Sequence, residues 1–576
     1  MKILGINHDM YITSAALIID GKIIAACAEE RLNRDKLTRV FPTNAMNFCL
    51  KKAKLRLDQI DFVANSYNPS VHLKKFHPIY SNSRRFRGDY FYSVPDFLLN
   101  RDRQIKEDND YSFQKVRLDN KELNIYYITH HLCHAANGFY LSPFKKSAIL
   151  TADGMGEDDT TTFSIGEKNK INLIKRLKIP HSIGSFYSTF TEFFGYKPEY
   201  DEWKIMALSA YGKKNNQFYK IIKKMVKFKS EGSFELDQSY FKERINNLPN
   251  FYTDEFVKAL GKPREKGQNF TKRNFDIAAA MQQVFEEICS HMLKFLYRKT
   301  HVKNLVLAGG SFMNSVFNGK AHKLTPFNNV WISSCPADDG LSIGAALYLY
   351  NNILQKKTRY ELKHNFLGPS YSSNKIKEDL IKYKVKFKYE KNIGQIVSRE
   401  LAKGKLVGWF QGSMEFGQRA LGNRSILADP SNSEVKKIIN EKVKNRDFWM
   451  PFAASVLEKY AAKYFRLNSE PDSYSFMTNC VECTDLGKKS LEAAIHPYDM
   501  TCRPQILNKG INLSYENLIK EFGKKSGIYG LLNTSFNFHG KPLVNNFRDA
   551  MDVFTKADLD ALIINNYILI KKKHFF

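Results

Sequence analysis

Long apolar runs are missing from this 576-residue chain. No stretch reaches the roughly eighteen consecutive apolar residues that a membrane-crossing helix needs, which excludes that class of protein. Cysteine is scarce: eight residues, scattered, give no disulfide framework and fit a reducing cytoplasm. The closely spaced pair Cys480-Val481-Glu482-Cys483 has no second pair to complete a metal knuckle and reads as chance. Met1 to Asp9 lacks the charged, apolar and small-residue order of a leader and reads as a strand broken by His8 and Asp9. Acid is also short, with 59 Asp and Glu against 88 Lys and Arg, for a formal net charge of +29. That excess suits anionic partners, either nucleic acid or small anionic substrates.

What is present is ample for folding. An apolar content of 43% builds real cores, and 26% charged residues argue against disorder. The length implies several structural units. Lys213 to Lys229 and Leu73 to Tyr92 interleave bases with aromatics, as nucleic-acid faces do. A solvated basic surface explains them more simply, and nucleic acid is not the expected partner.

The chain is organised around residues 124–166. The apolar run Ile125–Ile128 reads as a buried strand, and His130-His131-Leu132-Cys133-His134 follows on a predicted helix, 130–141. His130 and His134 then share one face and can grip one cation, while His131 points elsewhere. The peptidase pattern is absent, because that chemistry needs Glu directly after the first His. Ala148–Leu150 is a second buried strand ending at Asp153-Gly154 and Gly156, a turn whose N–H groups suit phosphate and whose Asp suits Mg²⁺ or a hydroxyl. A hairpin turn is the plain alternative. Far along the chain, Val330–Ile332 leads to Asp338-Asp339-Gly340, which puts carboxylates at the end of a strand, where open α/β sheets place ligands.

Residues 1–31 read as strand, strand and strand around Asp20-Gly21, and residues 147–166 repeat that logic. Two such hairpins predict a duplicated architecture with a nucleotide between the halves. An irregular basic insertion is expected at about 72–118 and a charged helical one at about 213–270. Phe275, Ile277, Met281, Val284, Ile288, Met292 and Phe295 step by twos, threes and fours and predict an amphipathic helix. It leads into the strand 304–308, then Gly309-Gly310 and Asn314, an arrangement that lays a phosphate against a helix start. Lys204, beside a Gly-ended turn, is a further phosphate candidate, with a surface lysine as the alternative.

Polar residues with Gly-Pro and Ser-Ser put a linker at 363–376 between units spanning 1–362 and 377–576. The second unit concentrates bases and amides: Arg419 and Arg424 in Glu415-Phe416-Gly417-Gln418-Arg419-Ala420-Leu421-Gly422-Asn423-Arg424, then Lys444, Arg446, His496, Arg503, Asn533, Ser535 and Asn537. So many bases among glycines and apolar strands are costly to bury without anions, and Arg forks suit phosphate.

Taken with HHLCHAA, LTADGMGE, LAGGSFMN, PADDGLSIGAA, MEFGQRALGNRSILADP, the H-x-x-D-x-T-x-R-x-Q spacing at 496–505 and LLNTSFN, the chain resembles, from end to end, the O-carbamoyltransferases of the nodulation-factor and antibiotic type. The family usually has Pro where Gln418 precedes Arg419, Pro where Ala454 stands and Arg where Met450 stands, departures that touch loop rigidity and one phosphate contact. The resemblance implies an α/β protein with a duplicated ASKHA (actin/hexokinase-like) first domain and a YrdC-like second domain. It implies that the second domain uses ATP, carbamoyl phosphate and Mg²⁺ to form carbamoyl-adenylate at Arg419, Arg424, Lys444, Arg446, His496, Arg503, Asn533, Ser535 and Asn537. It implies a metal, iron in the family, held by His130, His134 and Asp338, with Asp9, Asp153, Gly154, Lys204, Gly309, Gly310 and Asn314 around the adenylate and His8 as base for the acceptor hydroxyl. The ligand set by itself suits several metals. The acceptor would be a sugar, glycan or natural-product alcohol, and a homodimer is left open. A tRNA threonylcarbamoyl-type transferase and a non-enzymatic nucleotide-binding module are the alternatives, separable by which acyl donor, if any, releases diphosphate.

Overall fold

The computed structural model describes residues 1–8, 12–73, 110–118, 121–242, 250–444, 450–468 and 471–571. Asp9 and Arg446 therefore lie outside the described residues. The chain divides into two compact units, one of Met1–Ile24, Arg39–Pro42 and Cys49–Glu361, the other of Ala25–Thr38, Thr43–Phe48 and Leu362–Phe576.

The first unit carries two sheets of matching design. Strands β1 (Lys2–Asn7), β2 (Ser14–Ile19), β3 (Lys22–Ala28, whose last four residues are counted with the second unit), β4 (Phe62–Asn65), β5 (Tyr111–Leu118) and β6 (Lys121–Ile128) lie in the order β3-β2-β1-β4-β6-β5. Strand β1 is antiparallel to β2 and parallel to β4, and β4 is parallel to β6. Strands β7 (Lys146–Ala152), β8 (Asp159–Glu167) and β9 (Lys170–Lys178) form the second meander, and β10 (Val226–Phe228) with β11 (Phe234–Leu236) a separate hairpin. With β12 (Asn304–Ala308) and β13 (Asn329–Trp331) the second sheet runs β13-β12-β7-β8-β9, β12 being parallel to both β7 and β13. In each sheet an antiparallel meander is extended from its first strand by two parallel strands. The duplication expected from the two Asp-Gly hairpins is present.

The long helix Lys272–Thr300 begins at Thr271, whose side chain accepts from the Asn274 N–H. It buries Ile277, Met281, Val284, Ile288 and Met292 completely, as their spacing demands. Two insertions differ from expectation. Tyr111–Leu118, inside the stretch read as irregular, pairs with β6 along its whole length. Here Ser112 and Gln114 face inward while Phe113 is exposed, so the apolar alternation that signals a strand is inverted. Residues 213–270 hold the helices Gln217–Lys224 and Asp254–Leu260 and the β10-β11 hairpin, not helix alone. Three-residue strands closed around Gly232 are too short to show a period.

The second unit is a mixed eight-stranded sheet. Its strands are β14 (Lys388–Tyr389), β15 (Val407–Phe410), β16 (Arg424–Ala428), β17 (Ala453–Leu457), β20 (Gln505–Leu507), β21 (Gly530–Ser535), β22 (Ala561–Ile564) and β23 (Tyr567–Ile570), with β18 (Val481–Glu482) and β19 (Thr501–Cys502) pairing apart. The order is β14-β23-β22-β15-β16-β21-β17-β20. Strand alternation sends Phe410, Ile426 and Leu532 to one apolar layer, with Val553 and Phe554 of helix Phe547–Lys556. Trp409, Leu427 and Leu531 join the other, under helices Ile393–Ala402 and Leu513–Ser526.

The segment expected as a linker at 363–376 is folded into this unit. Asn365 exchanges hydrogen bonds with Phe416, Gly368 and Pro369 pair with Met414, and Ile376 is fully buried. Its polarity is that of an extended strap whose backbone bonds are satisfied by a neighbouring loop. No helix among the described residues is long and apolar enough to cross a membrane.

Candidate functional site

Strand β6 ends at Ile128, Thr129 turns the chain, and helix His130–Tyr140 starts at once. One helical turn separates His130 from His134, and their Nε2 atoms stand 3.0 Å apart, both side chains fully buried. His131 leaves the pair, meeting the Thr151 hydroxyl at 2.8 Å and the Asp159 carbonyl at 3.1 Å. The helix start is held by the buried Glu157 carboxylate, which accepts the N–H of His130 at 3.1 Å and of Asn68 at 2.8 Å. Burial pushes the Glu157 carboxyl up to about 8, against these hydrogen bonds.

Two carboxylates arrive from the other sheet. Asp153 follows the end of β7 and Asp338 follows β13 through a short coil. Asp153 Oδ2 is 3.0 Å from His134 Nε2 and 3.7 Å from His130 Nε2, and Asp338 Oδ1 is 3.6 Å and 3.8 Å from the same atoms. Donor atoms of all four lie within 4.8 Å of one another. Burial by itself would lower His134, but Asp153 and Asp338 hold it up at about 9. Burial would raise Asp153, yet His130 and His134 hold it well below the usual carboxylate range. Two buried anions here demand a positive charge between the imidazoles, and two nitrogens with two carboxylate oxygens are a fitting set for a metal cation.

The glycines beside this cluster approach it closely. Gly309 sits at φ 96° with the Ala152 carbonyl where a Cβ would stand, 2.2 Å away, so only glycine fits. Gly310 then donates its N–H to Asp153 Oδ2 at 3.0 Å. That N–H, expected for a phosphate, orients the aspartate, as does the Gly154 N–H at 2.7 Å from Asp153 Oδ1. Asn314 caps helix Ser315–Leu324 and pairs with Gln282. Lys204 is buried in an ion pair with Asp201 at 3.1 Å, over the Tyr196 ring. Both are occupied by protein partners. His8 directly follows β1 and meets the Phe41 ring edge-on at 5.1 Å between centroids.

In the second unit the structure sorts the expected bases into three kinds. Arg424 is fully buried over the Phe410 ring, and its guanidinium donates to the carbonyls of Pro369, Gln411, Gly412 and Asn423. These carbonyls occupy its guanidinium, so Arg424 braces the loop that precedes it. Lys444 is clamped by Ser535 and Asn537, two residues expected with it, through the Ser535 hydroxyl at 3.2 Å and the Asn537 side chain at 2.8 Å. Arg419 and Arg503 are different. Among the described residues neither guanidinium is joined to a carboxylate, and Arg503 Nε is buried with no hydrogen-bond partner. Burial pulls both below the usual guanidinium range, and Arg503 lowers Arg419 further. Asn533 stands near them, donating to the Ala420 carbonyl at 3.2 Å and the Ser455 hydroxyl at 2.9 Å. His496 is buried on the turn before β19, 3.7 Å from Asp499.

Residues 2–347 match the carbamoyltransferase N-terminus family model and residues 398–571 the carbamoyltransferase C-terminus model. The chain belongs to the carbamoyltransferase family. It is an enzyme that transfers carbamoyl groups. It is 31% identical to the nodulation protein NolNO of Sinorhizobium fredii over 98% of this chain and 80% of that one. It is 32% identical to an uncharacterized Synechocystis protein over 99% and 96%. The 3'-hydroxymethylcephem-O-carbamoyltransferase of Streptomyces clavuligerus is 24% identical over 78% of this chain and 81% of its own. Among solved structures, an activator of 2-hydroxyisocaproyl-CoA dehydratase from Clostridium difficile aligns with 60% of this chain and 94% of its own at 13% identity and a TM-score of 0.32, a likeness too faint to argue from.

Two supporting residues of this carbamoyltransferase escaped the sequence reading. Glu157 sets the histidine helix. Glu415, fully buried, accepts the N–H groups of Leu421, Asn423 and Arg424 on one oxygen and so folds the loop that carries Arg419. Buried carboxylates that bind only backbone carry no spacing signal; a Glu before a Gly-rich loop was the one hint available.

Proposed function

We propose that this carbamoyltransferase is an ATP-dependent O-carbamoyltransferase of two steps, and the single observation that carries the reading is the closed group of His130, His134, Asp153 and Asp338. These four residues would hold the metal, with Asp153 added to the three expected from sequence. When bound, a di- or trivalent cation supplies Lewis-acid stabilisation of charge developing on a phosphate or carbamoyl oxygen.

In the second unit, water takes phosphate from carbamoyl phosphate and leaves carbamate, whose oxygen attacks the α-phosphorus of ATP and displaces diphosphate. Each reactant is an anion, and Arg419 and Arg503, without carboxylate partners among the described residues, are suited to neutralise the charge that builds up. Asn533 reaches the Arg419 loop at the Ala420 carbonyl, and Lys444 meets Ser535 two residues further along the same strand. In the first unit an acceptor hydroxyl attacks the carbamoyl carbon of the adenylate, AMP leaves, and His8 takes the hydroxyl proton. His8 adjoins Asn7, whose side chain reaches the Asp338 backbone, which supports placing it within reach of the cluster. The relatives named for nodulation and for a cephem alcohol favour a sugar, glycan or natural-product acceptor.

The test is ATP–diphosphate exchange dependent on carbamoyl phosphate, followed by a screen of hydroxylated acceptors. His8→Ala should abolish transfer and leave exchange intact. Exchange driven by threonine and bicarbonate in place of carbamoyl phosphate would refute the reading.

A further inference from the structure

Arg419 lies on a loop whose backbone is pinned on both sides. Before it, Asn365 exchanges two hydrogen bonds with Phe416, and the Glu415 carboxylate reaches across the loop to gather the N–H groups of Leu421, Asn423 and Arg424 on one oxygen. After it, the carbonyls of Ala420 and Leu421 accept from Asn533 and Gln505. The remaining pin comes from far earlier in the chain. Arg31, 6% exposed, donates its Nη2 to the Gly417 carbonyl at 2.9 Å, across 386 residues of sequence. Gly417 is in the left-handed region, φ 111°, at the bend that turns the chain toward Gln418 and Arg419.

Arg31 is itself aimed. It belongs to Ala25–Thr38, which folds with the second unit. Its Nη1 pairs at 3.2 Å with the buried Glu30 carboxylate, which Lys36 and the Leu37 N–H also engage. The same short helix sends Arg34 to the carbonyls of Pro542 and Leu543. A guanidinium fixed by a carboxylate on one nitrogen and gripping a carbonyl with the other is a rigid strut.

We infer that Arg31 is a positioning residue for the anion site of the second unit: through Gly417 it sets where Arg419 meets the phosphate of the anionic co-substrate. This rests on the proposal that Arg419 and Arg503 bind a phosphate there. Ala25–Thr38 thus completes the activating unit, although its neighbours in sequence on both sides belong to the other one. Misplacing a binding group by a fraction of a hydrogen-bond length lowers affinity and leaves the fold in place.

The experiment compares full-length wild type, Arg31→Gln and Asn44→Ala. Asn44 bonds Glu29 of the same arm, and among the described residues it has no hydrogen bond to the Arg419 loop, so its variant reports loosening of the arm. Arg31→Gln should raise the KM for carbamoyl phosphate or for ATP in diphosphate exchange by about tenfold, the worth of one hydrogen bond to a charged group. It should also weaken calorimetric binding of inorganic diphosphate by a similar factor. Asn44→Ala should lower Tm and move neither quantity. An unchanged KM and diphosphate affinity in Arg31→Gln, or equal changes in both variants, would overturn the inference. If wild type shows no exchange, the two-step reading fails, while the diphosphate affinities still decide the role of Arg31.

Discussion

The side-chain amide of Asn7 donates to the backbone carbonyl of Asp338 at 2.9 Å, joining residues 331 positions apart. The same Nδ2 reaches the Ile12 carbonyl, and Oδ1 accepts from the Ser66 hydroxyl at 2.8 Å. One buried side chain therefore ties the end of β1 to the turn that presents a carboxylate to the histidines.

Asn7→Ala would leave two carbonyls and a hydroxyl buried without that partner. A loss of about 2–3 kcal/mol of stability is expected. Carbamoyl transfer should fall more than diphosphate exchange, because the second unit does not depend on this contact. Urea denaturation and the two half-assays check it; an equal fall in both activities would contradict the assignment.

Asp153→Asn and His134→Ala should each strip the first unit of bound metal, measured by elemental analysis of the purified protein. The carboxylates and imidazoles satisfy one another's charge, so removing one partner leaves a buried charge unmet. Transfer should disappear and exchange persist. Full metal content in Asp153→Asn would remove Asp153 from the ligand set and return the site to the three residues expected from sequence.

Arg419→Met and Arg503→Met should each abolish exchange and leave stability unchanged or raised, since a half-buried cation with no carboxylate partner among the described residues is traded for an apolar side chain. Burial pulls both guanidiniums down, and Arg503 pulls Arg419 further, so relief is expected in either variant. A lower melting temperature in both would show that these arginines are structural.

Glu202 gives a pH signature. Burial pushes its carboxyl up to about 7, opposed by its hydrogen bond from Ser188, against an ordinary value of 4.5. Between those values the unfolded chain has lost this proton and the folded chain keeps it. Stability contributed by this group is thus complete below pH 4.5, falls as pH rises toward 7, and is then level. Glu202→Gln keeps the acceptor oxygen and should flatten that slope. Denaturation midpoints of wild type and variant between pH 4.5 and 8 compare them; parallel curves would dismiss the effect.

By itself the sequence determined the strongly periodic elements and pointed to three of the four residues in the His/Asp cluster. Three-and-four spacing is a property of the helix, so Ile277 to Met292 and the His130, His134 pair were legible without neighbours. Apolar runs followed by glycine marked β7 and β12 in the same way. Tertiary structure alone decided the partners. Whether the Gly310 N–H meets Asp153, whether the Arg424 guanidinium meets main-chain carbonyls, and whether Asp153 joins the histidines depend on which strands lie side by side. A hydrogen-bonding group names its chemistry in the sequence, but its partner is fixed by distance, and distance exists only once the sheets have paired.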